Sequence, residues 1–68
     1  MADADAEAAL QRAYEIDSDH FDFIYALTDF YLKRDRLEKA RYYSKQLVAK
    51  YPDQPIVHEL LSYIDKRL

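Results

Sequence analysis

The sequence predicts an all-α fold of four antiparallel helices, and three observations carry that prediction. Apolar residues recur at spacings of three and four, with Ile24, Leu27 and Tyr31 in one stripe and Leu37, Ala40, Leu47 and Val48 in another. The stretches between such stripes are only a few residues long, which makes sequential helices antiparallel neighbours. Glycine is absent and proline occurs twice, so little in the chain interrupts a helix.

The first segment covers residues 4–16. Asp3 and Asp5 suit the positive end of its dipole, and Ala6, Leu10, Ala13 and Tyr14 form a narrow apolar face whose small residues permit close approach. Asp17, Ser18 and Asp19 end this segment and offer caps for the next. The second segment, residues 21–33, places Ile24, Leu27 and Tyr31 on one stripe, broadened by Phe23 and Phe30. Asp35 breaks the pattern and is expected to cap the third segment, residues 37–50, which carries Leu37, Ala40, Tyr43, Leu47 and Val48 inward. Pro55 favours the first turn of a fourth segment over residues 55–67, with Ile56, Leu60, Leu61 and Ile64 as its apolar positions.

Length and composition narrow the function classes. A chain of 68 residues is one small domain, and at that size folding buries only roughly 60% of the surface the unfolded chain exposes. With no cysteine and two distant histidines, neither disulfides nor a conventional zinc site is expected to staple it. The lack of glycine removes both the dinucleotide and the Walker phosphate loops. No cofactor is therefore expected. The net charge of -3 hides a strong polarity: residues 1–32 are acidic and residues 33–50 basic. There is neither a secretory h-region nor a membrane-length apolar run, so a soluble chain is expected, with the cytoplasm ahead of the periplasm and no membrane partner.

Residues 21–54 resemble a tetratricopeptide repeat, a unit of about 34 residues folded as two antiparallel helices. Ile24, Leu27 and Tyr31 stand at the large, leucine and tyrosine positions of the first helix; Leu37, Ala40 and Leu47 fall on the second, and Pro52 closes the unit. Thr28 occupies a small-residue position, Ser44 replaces a usual aromatic beside Tyr43, and Leu47 replaces a small alanine. Ala6, Leu10 and Ala13 resemble the second helix of a preceding repeat, with Ser18 in place of the closing proline. Residues 55–68 resemble the first helix of a following one, with His58, Leu61, Ser62 and Asp65 at the signature positions. The resemblance implies a solenoid fragment of half a repeat, one repeat and another half. An unrelated four-helix bundle is the alternative.

That resemblance implies a non-catalytic module for protein or peptide recognition. The first helix of each repeat lines the inner groove, which maps here to Asp22, Tyr25, Asp29 and Lys33, joined by Glu59, Tyr63 and Lys66. Aromatics there supply contact area and the carboxylates favour basic or amide-rich segments. Family members that grip a terminal carboxylate use basic and amide residues where Tyr25 and Asp29 stand, so such a ligand is disfavoured. The half repeats raise a second expectation: stacking on missing repeats or a homo-oligomer, with Ala6, Leu10, Ile64 and Leu68 as docking residues. A third is nucleic-acid contact through Lys33, Arg34, Arg36, Lys39, Arg41 and Lys45 with Tyr42 as a stacking ring; interruption by Asp35 and Glu38, and the acidic first half, argue against it.

Catalytic and metal readings have little support. Asp17, Asp19 and Asp22 start like an oxygen-rich cation loop, but the turn glycine is missing and Thr28 stands where the twelfth-position glutamate belongs. His20 is expected at a helix start and His58 in an interhelical gap. Ser18, Ser44 and Ser62 lack any base arranged beside them by local spacing. No enzyme activity is expected.

Overall fold

The computed structural model describes residues 2–68, with side chains from residue 4 onward, so the expected contribution of the Asp3 carboxylate lies outside the described residues. Four helices follow one another: α1 Ala2–Ile16, α2 Phe21–Lys33, α3 Leu37–Lys50 and α4 Pro55–Arg67. Each packs chiefly on its neighbour in sequence, most extensively α2 on α3, then α3 on α4, then α1 on α2. The core consists of Ile24, Leu27, Phe30 and Tyr31 from α2, Ala40, Tyr43 and Leu47 from α3, and Val57 and Ile64 from α4. Ala6, Leu10 and Tyr14 of α1 cover one side of it. Among the described residues no helix is long and apolar enough to cross a membrane.

The architecture repeats itself along the chain. Phe21 and Pro55 begin α2 and α4, Lys33 and Arg67 end them, and Ile16 and Lys50 end α1 and α3, each pair one repeat period apart. The connectors share their backbone bonds in the same register. Asp17 N donates to Ala13 O and His20 N to Asp17 O; one period later Tyr51 N donates to Leu47 O and Gln54 N to Tyr51 O. The four antiparallel helices are those that the spacing of apolar residues predicted, and their period is that of the solenoid fragment the resemblance implied.

Several local expectations are corrected. The N-cap of α2 is His20, whose Nδ1 accepts from Asp22 N at 3.2 Å; Asp17 instead accepts from Asp19 N within the turn, and Asp19 pairs with Lys50. Asp35 does not cap α3, whose N-cap Arg36 makes no side-chain cap bond. It sits at φ 60°, in the left-handed region, where Asp35 N donates to Leu32 O and Arg36 N to Tyr31 O. These two bonds form a Schellman motif at the end of α2, with aspartate in the place glycine usually takes. His58 fills no interhelical gap: it is exposed, and its Nε2 donates to Pro52 O at 2.7 Å. Ile64 is fully buried rather than a docking residue, and Ala6 and Leu10 are half-buried against the core. Of the four expected docking residues, Leu68 alone is largely exposed, at 60%.

Candidate protein-binding face

Burial of Ile24, Leu27, Thr28 and Tyr31 against α3 fixes the rotation of α2 about its axis. The stripe Asp22, Tyr25, Asp29 and Lys33, spaced by three or four residues, is thereby turned away from that contact. Asp22 and Lys33 are exposed; Tyr25 and Asp29 are half-buried. Tyr25 stacks on Phe21 at 5.8 Å between ring centroids, and Phe21 meets Tyr51 edge-on at 5.1 Å. Tyr51 in turn donates its hydroxyl to Asp19 O. Tyr25 is therefore half anchor and half surface, at the end of an aromatic ladder that joins both connectors. Asp29 accepts an ion pair from Lys33 at 3.0 Å, one helical turn away.

In α4, Val57 and Ile64 point into the core, which leaves Glu59, Tyr63 and Lys66 outside. Tyr63 is 52% exposed, with the Arg67 guanidinium 5.8 Å from its ring centroid. Because α2 and α4 are each antiparallel to α3, they run in the same direction. Tyr25 and Glu59 occupy equivalent positions one period apart, and so do Asp29 and Tyr63, so rings and carboxylates alternate from one helix to the other. The C-terminal turns end in Lys33 on α2 and in Lys66 and Arg67 on α4. Among the described residues no hydrogen bond or ion pair links the α2 stripe to the α4 stripe; polar contacts within the set run along α2.

The basic stretch is laced with acids. Lys33 pairs with Asp29, Lys39 with Glu7 at 3.8 Å and Arg41 with Asp65 at 2.7 Å, while the Arg34 guanidinium lies 3.7 Å over the Phe30 ring. Tyr42 is 56% exposed, but carboxylates from α1, α2 and α4 interrupt any cationic track beside it. Among the described residues no group of three or more His, Cys, Asp or Glu side chains is placed to hold a metal ion.

One polar cluster escaped the sequence reading. Gln11 Nε2 donates to the hydroxyls of Tyr31, at 2.8 Å, and Tyr43, at 3.1 Å, and the Tyr31 hydroxyl donates to Glu7 Oε2 at 2.7 Å. The Tyr31 and Tyr43 rings stack at 5.8 Å, and Tyr14 meets Tyr43 edge-on. Burial first, and then the hydrogen bond to Glu7, push the Tyr31 phenol above its ordinary range. The visible signal was Glu7 and Gln11 one turn apart on the side of α1 that also carries Leu10 and Tyr14. Every member is engaged by protein, which marks the cluster as a joint between helices rather than a reactive centre.

A family model described as tetratricopeptide repeat matches residues 4–64. No curated protein matches the chain, and no solved structure matches it.

Proposed function

The chain belongs to the tetratricopeptide-repeat family, and on that premise we propose that its α2–α4 face binds an extended segment of a partner protein. The family's repeats are a non-catalytic interaction fold, and this chain is a helical module of that kind. The reading rests on one observation above the others. Tyr63 is left half in solvent beside exposed Glu59 and Lys66, on the side of α4 that the core does not use. A partner segment bearing lysine or arginine finds Asp22, Asp29 and Glu59, while Tyr25 and Tyr63 offer ring faces for its stems and apolar side chains. The Asp29–Lys33 pair does not block this. Both side chains are substantially exposed, and such a pair is worth about 0–1 kcal/mol, so a ligand cation can replace it.

Capture from an extract of the source cell, comparing the native chain with a Tyr25→Ala, Asp29→Lys, Tyr63→Ala variant of unchanged helicity, tests the placement. A protein held by the native chain and lost by the variant supports it. Equal retention by both assigns recognition to another surface and overturns it.

A further inference from the structure

The α2–α3 hairpin buries Ile24, Leu27, Thr28 and Tyr31 beside Ala40, Tyr43, Ser44 and Leu47. One period after the α2 set come His58, Leu61, Ser62 and Asp65 of α4, which line an open groove with Lys66. One period before Tyr43 and Leu47 come Ala9 and Ala13 of α1, which line a second open groove with Ala8, Arg12 and Ile16. Ile16 is 80% exposed at its edge. Thus α4 lacks the cover that α3 gives α2, and α1 lacks the cover that α2 gives α3.

We propose that the α4 groove of one copy seats the α1 groove of a second copy, forming between molecules the hairpin that α2 and α3 form within one. Shape favours the match. The alanine-lined face of α1 leaves room for Leu61 and His58, and Ser62 permits close approach as Thr28 does in α2. Charge favours it as well. In an antiparallel pairing the last turn of α4 lies against the first turns of α1, which brings Lys66 to Asp5. Neither has an ion-pair partner among the described residues, whereas Asp65, the residue that would oppose Asp5, is already held by Arg41. The two faces differ, so the contact is heterologous and assembly is head to tail without closure. The contact shares Lys66 with the proposed peptide face but leaves Tyr25, Asp29, Glu59 and Tyr63 out of the α4 groove, so Leu61→Glu and Ala9→Glu test it without touching those residues.

Sedimentation equilibrium on the full chain tests it with two blocked variants, Leu61→Glu on α4 and Ala9→Glu on α1. The exposed Ala9 position keeps the test independent of any folding defect at half-buried Leu61. The native mass rises beyond two chains with concentration, each variant alone stays at one chain, and an equal mixture reaches two chains and stops. In the mixture the intact α4 groove of the Ala9→Glu chain meets the intact α1 groove of the Leu61→Glu chain. A native chain that remains single up to millimolar concentration overturns the proposal. A native mass that plateaus at two chains overturns it in favour of a symmetric contact.

Discussion

The Tyr31 hydroxyl donates to the Glu7 carboxylate across 2.7 Å, and through that bond a residue of the central hairpin holds the first helix. The apolar contribution of α1 is small, with Ala6, Leu10 and Tyr14 as its half-buried contacts with the core, so polar bonds carry a large share of its docking. Tyr31→Phe removes both this bond and the one accepted from Gln11. We expect a loss of about 1–2 kcal/mol in urea unfolding, with amide exchange accelerating most in α1. Unchanged stability and uniform exchange would show that α1 is held by packing alone.

Stability is expected to fall in alkali. Burial, more than any other cause, raises the Tyr14 and Tyr31 phenols above their ordinary 10.0, and hydrogen bonding to Asp19 raises Lys50 above 10.5. In each case the folded state holds its proton more tightly than the unfolded state. The associated stability is therefore complete below those ordinary values and is lost as pH rises through the higher folded-state ones. Urea midpoints measured from neutral pH upward should be level and then decline beyond the ordinary phenol value. Tyr14→Phe should make that decline shallower, and a profile that stays flat would contradict the assignment.

Ser44 and Thr28 show the same group in two conditions. Both are fully buried, but Thr28 Oγ1 donates to Ile24 O at 2.9 Å, whereas Ser44 Oγ has no partner among the described residues. Deleting an orphan hydroxyl removes a desolvation cost without breaking a bond. Ser44→Ala should therefore raise stability by about 1 kcal/mol in chemical denaturation. Loss of stability would mean that the hydroxyl has a bond absent from this arrangement.

The turn at Asp35 gives an ordering rather than a single value. A β-carbon in the left-handed region is strained, most of all when branched, and glycine is free of that strain. Asp35→Gly should stabilise by about 0.5–1 kcal/mol despite losing the exposed contact to Arg67, and Asp35→Val should destabilise by about 1–2 kcal/mol. Thermal melts of the two variants check the order, and a glycine variant melting below the valine variant would refute it.

What was legible in the sequence is what local periodicity encodes. Ile24, Leu27 and Tyr31 share a stripe because helical geometry puts them there, and Ala40 and Leu47 share the opposing one, so the helices and their antiparallel order could be read directly. Side chains whose roles depend on a distant partner were not legible in this way. Nothing near Gln11 in sequence announces two tyrosines twenty and thirty-two residues away. The capping of α2 fell to His20 because Asp17 and Asp19 are drawn to the turn backbone and to Lys50. Ile64 was grouped with exposed ends because an apolar residue near a terminus reads alike whether it meets its own core or a neighbour. The candidate face combines both kinds of information: its stripes are periodic, but the share of Tyr25 taken up by Phe21 appears only when the connectors pack.

Recognition through the α2–α4 face is tested most directly by amide chemical-shift mapping. The probe is a peptide selected from a random display library on the native chain. The selected sequence should carry lysine or arginine, with the largest shifts at Tyr25, Asp29, Glu59 and Tyr63, and binding should be lost in Tyr63→Ala. A library that yields no binder, or shifts confined to α1 and the outer side of α3, would contradict it.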